Sequence, residues 1–444
     1  MNRAHAASRA AQGSPGLRLR QGLSSGVQRG SAGAARGARA AVIACMLSFA
    51  GFAASAGAVD WTGRVSLLGS AADPRPGDVG DNARGRPTTD QQSLRLMAQG
   101  QDDDAEWSLH LIAGRQQRRG LAASGGAAGA QASAPFRWRR LADDRISGDG
   151  QNRSTVISWE IDRAVYKRRF ERATLALGRQ PVDFGSGRFW QPLNVFGAFA
   201  PTALDTDHKP GIDALRLDAY PSAFSSLTLV HAFAPRGQRA IGDSTALHHR
   251  RQVGESSQAA LLLSRVIGQQ QFGGAFESDW RGLGWRFEAL HTRPDGGGPG
   301  SLFWILGADH RFDNGLLAAV EWHDDARGAT SEAGLAAVAA SRPVALGLQQ
   351  QLARRVLGLS LRRELGPLWN ASFTVLASAL RAADGGHAPS LLQQFSLLRS
   401  LGNESDLLLS LVLASGAGLG PGGQPRSSFG HLPATLSLRW RTYF

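Results

Sequence analysis

Cysteine is almost missing from these 444 residues: Cys45 is the only one. It lies in an N-terminal stretch that reads as a leader, so the chain that follows has neither a disulfide framework nor a Cys-ligated metal site. Val42-Ile43-Ala44-Cys45 superficially fits a lipoprotein cleavage box. Such a box should close its apolar stretch, whereas only two alanines separate this one from Arg39 and the apolar run continues beyond it. Lysine is nearly absent as well, Lys167 and Lys209 being the two among 49 basic residues. Acidic residues are absent from positions 1–58, which hold seven arginines; taking seven from the total charge of +13 leaves +6. The basic balance is thus mostly a property of the N-terminus, and no nucleic-acid partner is implied. No stretch after residue 58 contains 18 consecutive apolar residues, which excludes a bundle of membrane-spanning helices.

The N-terminus has the layout of an export signal. Residues 1–35 are rich in Ala, Gly, Ser and Arg, and Arg36 and Arg39 precede the 15-residue apolar run Ala40–Ala54. Ser55-Ala56-Gly57-Ala58 then supplies the small-x-small pattern read by signal peptidase. The expected product starts at Val59-Asp60-Trp61, with residues 1–58 removed and residues 59–444 forming one domain.

That domain alternates with period two. Trp107, Leu109, Leu111 and Ala113 oppose Glu106, Ser108, His110 and Gly114. Trp285, Phe287 and Ala289 oppose Arg286 and Glu288, and Leu357, Leu359 and Leu361 oppose Gly358, Ser360 and Arg362. Each segment is a strand with one apolar and one polar or small face. The polar faces carry charge and glycine at mid-strand, as a wet lumen requires. Connections fall into short turns, such as Arg311–Gly315 and Leu401–Ser405, and long Gly/Ala/Ser/Pro-rich loops, such as 115–151 and 414–430. Short periplasmic turns and long outer loops give that asymmetry.

The last strand is the most specific signal. In His431–Phe444, Leu436, Leu438, Trp440, Thr442 and Phe444 line one face, and Thr435, Ser437, Arg439, Arg441 and Tyr443 the other. A chain ending on Phe at the foot of an alternating strand resembles the terminal assembly signal of bacterial outer-membrane barrels, which assigns that role to Trp440, Tyr443 and Phe444. The expected fold is an all-β transmembrane antiparallel barrel. The strands countable in the sequence number seventeen, with 233–256 read as a 24-residue loop. Bacterial single-chain barrels have even counts, so sixteen is expected within a range of 14–18, with the parity fault placed at 257–292. A wall of this size encloses an aqueous channel unless loops plug it.

Residues 173–233 carry a family resemblance. A strand ends in Gly178-Arg179-Gln180 and leads through Phe184-Gly185-Ser186-Gly187-Arg188 into a long loop, which returns as Gly211-Ile212-Asp213-Ala214-Leu215-Arg216-Leu217. This resembles outer-membrane porins of the alginate-export type and implies a Gram-negative outer membrane as the location. The loop 181–210 is expected to fold inward and constrict the channel, its glycines and prolines suiting turns and its aspartates capping or pairing with arginines. The residues expected to line the channel and set selectivity are Arg179, Arg188, Asp205, Asp213, Arg216, Arg286, Glu288, Arg362, Arg439 and Arg441.

Other patterns carry less. Gly22-Leu23-Ser24-Ser25-Gly26 matches a nucleophile motif but sits in the leader, at no strand-to-helix turn. His248-His249-Arg250-Arg251 reads as solvated loop, and Asp102-Asp103-Asp104 as an acidic short turn. Thr292–Gly300 lacks the helix that a phosphate loop needs. The function implied is a channel for diffusion or export of small polar or anionic solutes or of a polysaccharide, with no catalytic site, metal or cofactor. The expected partners are outer-membrane lipids and lipopolysaccharide, the barrel-assembly machinery and the solute itself. The competing class is a non-conducting barrel whose long loops act as a binding scaffold or carry an enzyme.

Overall fold

The computed structural model describes residues 59–81, 85–120, 134–148, 153–236 and 241–444; the expected leader, residues 1–58, lies outside them. The strands are β1 (Asp60–Asp73), β2 (Thr88–Gln101), β3 (Ala105–Arg119), β4 (Ala142–Gly148), β5 (Arg153–Phe170), β6 (Ala173–Gln180) and β7 (Ile212–Ser222). They continue as β8 (Ser225–Ala232), β9 (Ser244–Val253), β10 (Ser257–Val266), β11 (Gln269–Trp280), β12 (Leu283–Pro294) and β13 (Ser301–Arg311). The last are β14 (Leu317–Asp325), β15 (Arg355–Gly366), β16 (Trp369–Arg381), β17 (His387–Ser400), β18 (Ser405–Ser415) and β19 (Ala434–Tyr443).

Every wall strand pairs antiparallel with its neighbours, and β19 pairs with β1 to close the ring. The wall has eighteen strands. β4 stands outside the count: on one edge of β5 it pairs with residues 154–160, while β6 takes residues 164–170 of the same edge. The wall is therefore low at β6 and β7, and β4 forms a shoulder beside them.

Two sequence expectations are corrected here. The count is eighteen rather than sixteen, and the fault is not at 257–292, whose three strands are all present. The strand missed is β9, in the stretch read as a loop. Its sequence STALHHRRQV puts Ser244, Ala246 and His248 on one side and charge along its end, so no aliphatic alternation announces it. The short hairpin between β10 and β11 is real and interrupts the short-long rhythm of the connections.

Alternation sorts the two faces. Leu175 and Leu177, Leu261 and Leu263, Leu302 and Leu306, Leu357 and Leu359, and Leu436 and Leu438 all stand exposed on the outer parity. Soluble monomers do not expose an apolar belt around a whole circumference, whereas a barrel in hydrocarbon must. The inner parity of the wall carries Arg64, Ser66, Arg95, His110, Arg286, Glu321 and Arg439. The start of β1 at Asp60 and the last residue, Phe444, lie at the end of the barrel with the short turns, where Trp61, Trp280 and Trp369 are exposed as interfacial side chains.

Candidate functional site

The loop between Pro181 and Pro210 leaves β6, crosses to the inner wall of β12–β14 and runs on to the seam of β1 and β19 before rejoining β7. Its first arm is tied down by two wall carboxylates. Glu288 on β12 accepts the Ser186 N–H, the Ser186 hydroxyl at 2.8 Å, the Gly187 N–H at 3.0 Å and the Leu193 N–H at 3.2 Å. Glu321 on β14 accepts the N–H groups of Arg188 at 2.9 Å, Phe189 at 3.2 Å and Trp190 at 2.9 Å. A buried carboxylate is costly unless hydrogen-bonded, and loop N–H groups turned from water need acceptors. Each requirement meets the other here.

Apolar packing reinforces the ties. Val182, Phe184, Leu193, Val195 and Phe196 pack on Ile212, Ala214, Val230, Leu262 and Leu290 of the inner wall. Phe189 and Trp190 pack on Ile305, Val356 and Leu376. Burying a large apolar side chain contributes about 1.5–3 kcal/mol, so the inner wall of this sector is apolar in order to receive the loop. The glycines follow from the same closeness: a Cβ on Gly187 would run into the Trp190 carbonyl, and one on Gly185 into Gln191.

The second arm ends at the seam. Arg64 on β1 pairs with Asp205 at 2.9 Å and Asp207 at 2.8 Å. Asp207 also accepts from Arg441 and from the Tyr443 hydroxyl on β19, and Arg439 donates to the Leu204 carbonyl. Burial alone would raise the Asp207 pKa, but the Tyr443 hydrogen bond and the charges of Arg441 and Arg64 outweigh it and hold the carboxyl down at about 2. Next to it, burial and then the charges of Arg95 and Arg64 push His208 down to about 4. Lys209 is pushed down to about 8, burial outweighing its ion pair with Asp183.

The expected lining residues separate into groups. Arg188 projects from the loop with half its side chain exposed and pairs with Asp309, which Arg286 also contacts. Asp205, Arg439 and Arg441 hold the seam end, and Glu288 holds the first arm. Arg216 faces the lumen and pairs with Asp218 at 2.8 Å. Arg362 faces the lumen, is exposed, and has no ion-pair partner among the described residues. Arg179 and Asp213 do something else. The Arg179 side chain is 1% exposed, paired with Asp213 at 2.8 Å and donating to the carbonyls of Ile161 and Arg139. The pair is fixed in the wall where the loop departs. Gly178 beside it adopts φ +119°, and the Ala164 carbonyl occupies the space a Cβ would need, so only glycine fits there.

His248 is corrected from solvated loop to buried strand, stacked on Phe184 with ring centroids 4.6 Å apart. Among the described residues no group of three or more His, Asp or Glu side chains is placed to hold a metal ion.

Several lumen residues escaped the sequence reading. Arg64 and Arg95 stand opposite each other on β1 and β2, and Arg95 pairs with Asp162 at 2.8 Å. Arg163 on β5 lies opposite His110 and has no ion-pair partner among the described residues, its Nε being buried and unbonded. It borders a polar recess of about 270 Å³ with His110, Glu106, Ser108 and Lys167. By alternation Arg163 would share the outward face of Ile161. A β-bulge places one extra residue, Asp162, between Arg163 and Ile161, so strict alternation misassigns its face.

No family model matches the chain, and no curated protein matches it in sequence. Solved structures do match in fold. OccAB4 of Acinetobacter baumannii superposes with a TM-score of 0.56 at 11% identity, covering 88% of this chain and 99% of that one. OccD3 (OpdP) of Pseudomonas aeruginosa gives 0.54 at 10%, covering 88% and 92%. A BenF-like porin from Pseudomonas fluorescens Pf-5 gives 0.53 at 10%, covering 87% and 98%. The fold is that of an outer-membrane β-barrel porin, and the likeness lends no support to the alginate-export family in particular.

Proposed function

We propose that this protein is an outer-membrane porin that passes small polar or anionic solutes, with the loop 181–210 as its constriction. The observation that carries the reading is the course of that loop. It is lashed to the inner wall at Glu288 and Glu321 on one side and to Arg64 and Arg441 on the other. A scaffold that worked through its outer loops would have no need to span its own lumen. A porin needs such a span to set width and charge.

Anionic solutes are favoured by the arc from β19 to β5. It carries Arg439, Arg441, Arg64, Arg95 and Arg163 on the inner parity of adjoining strands, and Arg163 lacks a carboxylate partner among the described residues. Arg362 adds a second such cation elsewhere on the wall. A polysaccharide cargo of the alginate kind is the weaker reading. The residues behind that resemblance, Gly178, Gly185, Gly187 and Gly211, serve the close approach of loop and wall, which any inward loop would require. Planar-bilayer recording of the purified barrel, joined to liposome swelling with neutral sugars, sulfate, phosphate, small carboxylates and oligouronates, tests the proposal. Stepwise openings and faster entry of small anions than of sugars are expected. An electrically silent folded barrel would refute it.

A further inference from the structure

We infer that the outer wall at β15–β18 holds a binding site for one glycerophospholipid of the periplasmic leaflet, with its phosphate on Arg363. The outward row Arg363, Ala371, Leu397 and Leu409 runs across β15–β18 beside the outward row Leu361, Phe373, Phe395 and Leu411. Ala371 is the one small residue among these large ones, and it leaves a groove of about 490 Å³. Phe373 and Phe395 stack with centroids 4.3 Å apart and form its floor. The lining is almost wholly apolar, which suits an acyl chain.

The charge at its rim selects the headgroup. Arg363 is exposed on the lipid-facing parity and has no ion-pair partner among the described residues. Its neighbour Glu364 alternates to the lumen. Three residues further along, at the end of β15, the chain turns, and Arg399 lies over the Trp369 ring at 5.1 Å. Trp at this level marks the headgroup region. A long arginine stem can lie along apolar surface and deliver its guanidinium to that depth. Two cations beside an apolar groove match a phosphate diester joined to an acyl chain. A second copy of this chain would bring arginines against arginines. A free anion would leave the groove unfilled.

The inference rests on the membrane-barrel reading, and its test separates the two. The refolded barrel is titrated with dioleoylphosphatidylglycerol in detergent and examined by native mass spectrometry, after heat-modifiability and insertion into liposomes are confirmed. A chain that fails to insert refutes the membrane reading. An inserted barrel that binds no lipid preferentially refutes only the inference. One retained lipid is expected in the wild type. Arg363→Gln should bind it about fivefold more weakly, the effect of one surface cation on an anionic lipid. Ala371→Phe, which fills the groove, should lose it. Arg362→Gln, one position away on the lumen side, should bind as the wild type does. Equal retention in Arg363→Gln and the wild type overturns the site. So does displacement of the lipid by millimolar inorganic phosphate, or a dimer that Ala371→Phe abolishes while lipid binding persists.

Discussion

Gly63 and Phe444 meet at the seam, where the Gly63 N–H donates to the Phe444 carbonyl at 2.7 Å and the Phe444 N–H to the Gly63 carbonyl at 3.0 Å. The Phe444 ring lies against Gly63 so closely that a Cβ there would overlap it. The last residue is thus clasped by backbone and by shape at the same point.

Deleting Phe444 should reduce assembly of the barrel more than the stability of one already closed, if the strand that closes the wall also carries the assembly signal expected from the sequence. Gly63→Val keeps the tag but displaces the ring, an overpacking that costs about 1–3 kcal/mol. The fraction of heat-modifiable, protease-resistant protein in the outer membrane measures both. The deletion should lose most of it, and Gly63→Val should keep it with a lowered melting temperature.

Glu288→Leu removes the acceptor of three loop N–H groups and one hydroxyl. Hydrogen bonds to a charged group contribute about 1.5–3 kcal/mol each, so the first arm should come free. Single-channel conductance should rise and become noisier, and the segment around Ser186 should become open to proteolysis in a barrel that remains folded. Unchanged conductance would show that this arm does not set the width.

Arg188→Ala should move the reversal potential towards cations. Asp309 keeps Arg286 as its partner, so the change removes one net positive charge from the loop without stranding an acid. In a confined lumen of reduced dielectric that charge acts more strongly than one on the surface, which salt screens beyond ~8 Å. Arg250, expected from the sequence in a solvated loop, lies on β9 and would not serve as a surface control. Arg86→Ala serves instead, its side chain being exposed in the β1–β2 loop, and it should leave selectivity unchanged.

Acid should loosen the second arm through His208 rather than Asp207. Asp207, at about 2, contributes stability that is complete above the ordinary carboxylate pKa and declines as pH falls from there towards 2, below the window in which His208 acts. His208, lowered to about 4, is neutral when seated and gains its proton more readily when displaced. Its contribution is therefore complete above its ordinary value near 6.5 and declines as pH falls from there towards 4. Its surroundings add Arg163 and His110, whose ring lies 5.9 Å away. Current noise should increase between pH 6.5 and 4 in the wild type. It should stay flat in His208→Phe, which cannot take up a proton.

The barrel was legible because its strands write their environment into every second residue, as β12, β15 and β19 show. β9 was not, because its inward face packs on Phe184 of the loop and carries Ala246 and His248 rather than lumen charge. The same cause hid half of the site. A wall that receives a folded loop looks apolar on both faces, and only three-dimensional placement tells Leu262 or Leu290 from a lipid-facing leucine. The glycines, prolines and aspartates of 181–210 were what suggested an inward loop from the sequence. Arg179 was misjudged because Gly178 ends the regular pleat just before it. Glu321 carried no local mark, for its partners are backbone groups more than a hundred residues away.

Asp207 touches residues of both the first and the last strand, Arg64 on one side and Arg441 and Tyr443 on the other. These groups come together only once the ring is closed, so the far end of the loop has nowhere to dock in an unsealed sheet. If the loop is the constriction proposed for it, the pore narrows only after the wall has closed. On that reading, a barrel caught part-way through closure would be wide but also unfinished at its seam. A leak through the cell's outer barrier would be confined to the time that closure takes.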